Sequence, residues 1–323
     1  MAITSGKYTI GVAMDYASHV LWEADFGVPD GELEGELNTS YTTTATCNFN
    51  VASSYPIRMT SADPHLGDQT AGYVVTMGAN AIPFQFGAAA SYYEMQGFRL
   101  TAGIWNNYMI SFSGAYTSRI HDMFLDGKNA AYPIRYRSTP TSRFYNCVIW
   151  NANAGQVTLY HIAATAGDRV ENVTVYDGGY NYYLTNNTVT YENCASLAEG
   201  VAGWSLATNA TGNGVLSTDA TIPSSGTPQY TSATIANEVQ STDDTDGDLF
   251  MLPKTGASGD MTAGGTTTHT WSSVDMKGNE WDPSTPSIGA FQFPLYVPSG
   301  GGSPIGAIYR HLRNRRIQHS DKK

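Results

Sequence analysis

Val170-Glu171-Asn172-Val173-Thr174-Val175 is one of five stretches that follow a single pattern: apolar, any residue, Gly/Asp/Asn, apolar, any residue, usually apolar. The others are Met95-Gln-Gly-Phe-Arg-Leu100, Ile120-His-Asp-Met-Phe-Leu125, Phe144-Tyr-Asn-Cys-Val-Ile149 and Tyr191-Glu-Asn-Cys-Ala-Ser196. Their starts lie 25, 24, 26 and 21 residues apart. Each stretch ends in a short alternation that reads as a strand, with Val173 and Val175 inward and Thr174 outward. The third position (Gly97, Asp122, Asn146, Asn172, Asn193) is filled by residues that tolerate the left-handed backbone of a corner. A period near 24 with one short strand per repeat predicts a solenoid, because one coil cannot bury its inner face alone. A leucine-rich repeat does not fit, since its Leu consensus and helical return are missing. The reading is an all-β, right-handed parallel β-helix, its corner Asn and Asp side chains stacked as a ladder; the rival is an antiparallel β-sandwich.

Composition agrees. Of 323 residues, 14 % are charged, well below the usual quarter or so, while 41 % are hydrophobic and 12 % aromatic. Richness in Thr, Asn, Gly and Tyr suits strands and turns rather than helix bundles, coiled coils or doubly wound α/β enzymes. The aromatic content argues against disorder. No apolar run reaches the length of a membrane span, and Met1–Tyr8 has no cationic-then-apolar leader, so no export signal is expected. Cys47, Cys147 and Cys194 are too few and too far apart for a disulfide framework or a zinc site. Cys147 and Cys194, two coils apart, are expected to be reduced core residues.

The chain resembles the pectin-lyase-like right-handed β-helix proteins of phage and metagenomic origin. Asp15-Tyr-Ala-Ser18 with Leu21-Trp-Glu-Ala24 is similar to that family's opening helix, and Tyr55-Pro-Ile-Arg-Met59 to its first coil. Asp275-Met-Lys-Gly-Asn279 with Ser287-Ile-Gly-Ala-Phe-Gln-Phe293 is similar to its closing segment, where Ser287 and Gln292 replace the usual Asp and Glu. The resemblance spans roughly residues 8–293. It implies the β-helix fold and, through chains with Gly-rich linkers and short basic C-termini, a virion structural protein. It says little about activity.

The expected organisation is 1–32 as an N-terminal strand and capping helix (helical over 12–26), and 33–296 as the parallel β-helix with looped C-terminal coils, closed by 271–296. Residues 297–323 form a Gly-rich hinge and a basic docking tail. The last 14 residues hold six Lys/Arg and one Asp, a net of +5, which leaves −16 on the first 309. Ile305, Ile308, Tyr309 and Leu312 form an apolar stripe beside Arg310, Arg313, Arg315 and Arg316, the pattern of a segment that docks in a groove. Nucleic acid is the rival partner for these arginines, but the acidic body opposes it, as it does anionic membranes.

Candidate chemistry comes in three sets. Arg119, Arg143 and Arg169 precede the first apolar residue of three consecutive repeats. They read as a cationic strip for an acidic glycan or a protein partner, or as an outward row whose stems cover neighbouring Tyr. Glu171 and Glu192 share a repeat position one coil apart, near Asp122, Asp126, Asp168 and Asp177. Paired carboxyls hydrolyse glycosides, yet the polygalacturonase motif is absent, and no pair is expected to face a deep groove with an Arg. The acidic loop 243–248 suggests calcium, but its EF-hand register fails at Leu249 and Thr255. No cofactor is expected, and none of the seven His stands in a metal-binding spacing. The tyrosines, Tyr92-Tyr93 and Tyr180-Asn-Tyr-Tyr183 among them, suit an interface, a packed exterior or sugar stacking. The functional reading is a non-enzymatic virion component, a capsid decoration, spike or tail-associated fibre, bound to other virion proteins or sister protomers. A polysaccharide-degrading or glycan-binding β-helix, meeting a host surface glycan, is the alternative.

Overall fold

The computed structural model describes residues 2–293 apart from 79–81, 88–91, 104–107, 113–116, 129–131, 137–141, 154, 162–167, 186–187, 206–209, 255–259 and 263. The chain is a parallel β-solenoid of about seven turns. The long sheet runs in the order Gly6–Ile10, Leu33–Leu37, Pro56–Ser61, Tyr92–Gln96, Thr117–Asp126, Ser142–Trp150, Asp168–Tyr176, Ala195–Leu197, Val215–Ser217 and Gln229–Tyr230. Short strands such as Arg99–Thr101 and Val189–Glu192 extend it on one side or the other of the corners. A second, seven-stranded sheet closes the coils from behind; its central strands are Tyr108–Phe112, Tyr132–Tyr136, Val157–His161 and Tyr180–Leu184. The strand pairs that carry the coils are parallel, as expected where a coil separates neighbours.

The predicted register holds. Ile120 aligns with Phe144 and Phe144 with Val170; Met123 aligns with Cys147 and Cys147 with Val173. The corner residues Asp122, Asn146, Asn172 and Asn193 all have φ between 50° and 55°, and Gly97 has φ 79°. Gly214, φ 61°, continues the column one coil further. The side chains make the ladder: Asn172 Nδ2 donates to Asn146 Oδ1 (3.3 Å) and Asn146 Nδ2 to Asp122 Oδ1 (3.2 Å).

Inside, apolar residues from both sheets interlock. Phe49, Phe86 and Phe112 stack at 5.0 and 4.9 Å along successive coils, and Tyr182 stacks nearly parallel on Trp204 with ring centres 4.0 Å apart. The only α-helix of more than one turn among the described residues is His19–Ala24. It is shorter than the expected 12–26, because Asp15 binds back to the Thr9 N–H (2.8 Å) and hydroxyl (2.9 Å) and holds that stretch as a turn. The helix sends Trp22 fully into the core beside Phe26 and Phe49. Gly35 makes room for it, since a Cβ there would come within 2.9 Å of the indole. The sheet begins at Gly6, ahead of residue 33 where the coils were expected to start.

The C-terminal part departs most from expectation. Residues 271–293, part of the segment 271–296 expected to close the end of the stack, run along its flank instead, together with 260–262 and 264–270. The outward row of the long sheet beyond the corner is mostly apolar: Phe124, Val148, Ala195 and Leu216, with a buried Thr174 between Val148 and Ala195 and Arg99 beside Phe124. With Trp150 and Leu197 it forms a second core, covered by Val239, Phe250, Met251, Met261, Met276, Ile288, Ala290 and Phe291. The covering segment binds the ladder from outside: Asn193 Oδ1 accepts Thr266 N–H (2.6 Å), Asn146 Nδ2 donates to Val274 O (2.9 Å), and Ala290 N–H donates to Thr174 Oγ1 (3.2 Å).

Two outcomes follow. Asn146→Ala should cost about 2–4 kcal/mol in denaturant unfolding, from a left-handed residue that loses its tolerance and from lost buried hydrogen bonds. Asn146→Gly should cost about 1 kcal/mol less, and equal losses would remove backbone strain from the account. Cys47, Cys147 and Cys194 are free and buried, and burial pushes all three thiols upward. A thiol reagent should therefore label none of them in native protein and all three in denaturant.

Candidate functional site

Because side chains alternate across a strand, each strand of the long sheet presents two outward rows before its corner. The first contains Arg58, Glu94, Arg119, Arg143 and Arg169 in direct register. The second contains His121, Tyr145, Glu171 and Glu192. Sequence reasoning found the three consecutive arginines; the structure places them side by side on adjacent coils.

Their surroundings differ along the row. Arg119 lies over the Tyr92 ring, 4.8 Å from its centre. Arg143 and Arg169 lie 5.6 and 5.9 Å from the centre of Trp271, which reaches them from the flanking segment. Arg169 also donates to Glu192 and sets its Nε 3.6 Å from Glu171 Oε2. The same guanidinium thus serves both carboxylates of the predicted pair.

Glu171 is completely buried. Its Oε1 accepts the backbone N–H groups of Thr270 (2.8 Å) and Trp271 (3.5 Å), while its Oε2 has no hydrogen-bond partner. Burial pushes this carboxyl up to about 7, against the pull of Arg169 and of the two N–H groups. The pair does meet an arginine, but Glu171 meets it beneath Thr270 and Trp271, whose N–H groups it binds. Asp126 accepts from Lys128 N–H (3.0 Å) and Asn151 Nδ2 (3.3 Å), Asp168 is buried, and Asp177 is an exposed corner residue.

A network that the sequence did not reveal lies next along the rows. His121 touches Glu94 through Nε2 (3.1 Å) and Asp122 through Nδ1 (2.9 Å), and stacks on Tyr145 with ring centres 4.6 Å apart. Glu94 also accepts from Arg58 Nε (2.7 Å) and the Tyr92 hydroxyl (3.0 Å). Burial opposes the imidazolium, but the hydrogen bonds and charges of the two carboxylates outweigh it and raise the His121 pKa. Burial likewise opposes ionisation of Glu94, yet His121 and Arg58 hold it down to about 2. The signal in the sequence was the row itself: Glu94 and His121 sit two residues apart in register on neighbouring strands.

A small pocket opens where the flanking segment crosses the corner column, between Pro64, His65, Asp122, Asp275 and Gly278. Its polar groups are already engaged. His65 donates through Nε2 to Asp122 O (2.8 Å) and accepts Gly67 N–H at Nδ1 (3.0 Å), so it is the neutral tautomer, and burial pushes it down to about 4. Asp275 accepts the N–H groups of Lys277, Asn279 and Gln292.

The acidic loop disperses its carboxylates. Asp243 caps Thr245, Asp244 accepts from Trp150 Nε1 (3.3 Å), Asp246 accepts from Ser241, and Asp248 faces Lys277. Among the described residues no three His, Cys, Asp or Glu side chains gather to hold a metal. Of the predicted tyrosines, Tyr93 and Tyr182 are core residues, with hydroxyls on Phe49 O and Val173 O. Ile305, Ile308, Tyr309, Arg310, Leu312, Arg313, Arg315 and Arg316 lie outside the described residues.

Glu171 gives a pH test. Its folded pKa is raised above the unfolded value, so its contribution to stability is complete below about 4.5 and is lost as pH rises through about 7. Glu171→Gln should therefore melt close to wild type at pH near 5 and above it at pH near 8, in a thermal series on both proteins. A constant difference across that range would mean that Glu171 does not titrate there. No protein-family model, curated protein or solved structure matches the chain.

Proposed function

We propose that this chain is a non-enzymatic structural component of a bacteriophage virion, a right-handed β-helix of the pectin-lyase-like type. In this reading the helix His19–Ala24 caps the stack, and the basic segment 305–323 anchors the protein to a neighbouring virion subunit or a sister protomer. The observation that carries it is the closure of Glu171. Of the two carboxylates that share an arginine, Glu171 is fully buried and spent on fastening the chain's own Thr270 and Trp271, while Glu192 accepts from Asn213 Nδ2 (3.4 Å). A hydrolase needs such a pair open to substrate. The net of −16 over the first 309 residues against +5 over the last 14 supports a tail that docks on protein rather than nucleic acid.

A second reading draws on the same residues. Glu171 is held up to about 7 while Glu192 meets Arg169 one coil away. Two neighbouring carboxyls in different surroundings are what glycoside cleavage uses, here of a host surface glycan.

Deleting residues 304–323 should leave a folded β-helix, by circular dichroism and thermal melting, that no longer enters virions in an assembly assay scored by mass spectrometry. Normal incorporation of the truncated chain would overturn the anchor. Release of reducing ends or unsaturated sugars by the intact protein, abolished in Glu192→Gln, would replace the structural reading with the enzymatic one.

A further inference from the structure

Six polar side chains run in one unbroken chain of contacts across the long sheet. Arg58 Nε donates to Glu94 Oε2 (2.7 Å), Glu94 Oε1 lies 3.1 Å from His121 Nε2, and His121 Nδ1 lies 2.9 Å from Asp122 Oδ2. Asp122 Oδ1 accepts Asn146 Nδ2, and Asn146 Oδ1 accepts Asn172 Nδ2. These residues stand on five consecutive strands, from Pro56–Ser61 to Asp168–Tyr176. His121 is the member that joins the charged rows before the corner to the amide ladder at the corner.

Both ring nitrogens of His121 face carboxylate oxygens. A carboxylate only accepts, and an imidazole donates from both nitrogens only when it is protonated. The ring is buried and lies flat against Tyr145, so it cannot turn to water without leaving that stack. The groups around it come from every neighbouring element. Arg58 and the Tyr92 hydroxyl back Glu94, and Arg58 also meets Glu32. Arg119 lies over Tyr92, Trp271 packs on Tyr145, and neutral His65 binds Asp122 O beside Asp275. Burial opposes the charged ring, but Asp122 and Glu94 together raise the His121 pKa. Burial also pushes Tyr92 up to about 12 and Tyr145 upward, so neither phenol titrates near neutrality.

We infer that His121 is a proton-dependent clasp between coils: as an imidazolium it fastens Glu94 to the corner ladder at Asp122, and loss of its ring proton in alkaline medium releases one of the two bonds. The neutral ring has a single N–H, so one carboxylate then faces a lone pair. In a buried site little water is at hand to replace the lost donor. Glu94 keeps Arg58 and Tyr92, and Asp122 keeps Asn146, so the chain of contacts parts at His121. The coils of Asn146, Glu171 and Asn193 are also fastened by the flanking segment. The clasp ties the coil of Glu94 to that braced part, and it acts whether the protein is structural or enzymatic. Its folded pKa lies above the unfolded value near 6.5. Its contribution is therefore complete below that pH and is lost as pH rises through the raised value.

The test is an NMR titration of the full chain, labelled at its seven histidines, from pH about 5 to about 10. His121 should carry protons on both ring nitrogens near neutrality and titrate with a midpoint above about 6.5. Glu94→Gln should lower that midpoint by about one unit, a tenfold loss of proton affinity. In parallel melts, wild type should lose ground against His121→Gln as pH rises. Glu171 titrates over the same range in both proteins, so their difference isolates His121. If His121→Gln does not fold, the ring signal displaced in Glu94→Gln identifies His121, and its midpoint decides. A midpoint at or below about 6.5 overturns the inference. So does a set of histidine signals that Glu94→Gln leaves unmoved, or a melting difference constant across the range.

Discussion

Everything in this structure depends on one backbone event repeated once per coil: a left-handed residue that turns the strand out of one plane and into the next. Gly97, Asp122, Asn146, Asn172, Asn193 and Gly214 perform it at the same register position. Asn and Asp accept that conformation at modest cost and offer a side chain that can satisfy the neighbouring coil. The corner therefore fixes register twice, through its φ and through its hydrogen bonds. Because a slip of one residue would turn every inward side chain outward, the ladder also decides which residues reach the outer rows. Arg119, Arg143 and Arg169 stand together because Asp122, Asn146 and Asn172 do.

The same corner explains the flank. Past it the strands Thr117–Asp126 and Ser142–Trp150 continue with apolar residues on both faces: Met123 and Leu125 inward but Phe124 outward, Cys147 and Ile149 inward but Val148 outward. An apolar stripe of this kind must be covered, and residues 233–254, 260–262 and 264–293 cover it. Their backbone needs partners, and the nearest are the ladder amides, Thr174 and the Glu171 carboxylate. Burial beneath this segment is what raises the Glu171 pKa. It remains solvent-free because the segment that needs its oxygen also shuts out water.

How much of this was legible follows from range. The coil period, the corner residues, the inward register and the arginine row were readable because they depend on spacing within one or two repeats. The Glu94–His121–Asp122 network joins residues 27 apart across a strand pair; the rows were visible in the sequence, but the side-chain pairing across them was not. The covering segment was assigned to the end of the stack because its contacts, such as Asn146 with Val274, span more than 100 residues with no periodic signal. A clue did exist. Met123-Phe124-Leu125 and Cys147-Val148-Ile149-Trp150 are unbroken apolar runs where a strand with one solvated face should alternate. An unbroken run announces a second covering layer, though not which part of the chain supplies it.

That layer also changes how the solenoid holds together. In a stack whose coils touch only their neighbours, stability is a sum of local terms and ends can fray independently. Here one segment touches the coil of Asn193 through Thr266, that of Glu171 through Thr270, that of Asn146 through Val274, and the pocket beside Asp122 and His65 through Asp275. It then turns back, Met276 N–H binding Ala290 O and Gly289 N–H binding Asn193 O. A coil cannot open in the middle of the stack without releasing this brace, and the brace cannot leave without exposing Phe124, Trp150 and Leu216 together. Local coil energies are thereby converted into a shared one. In this way the flank ties together the coils of Asn146, Glu171 and Asn193.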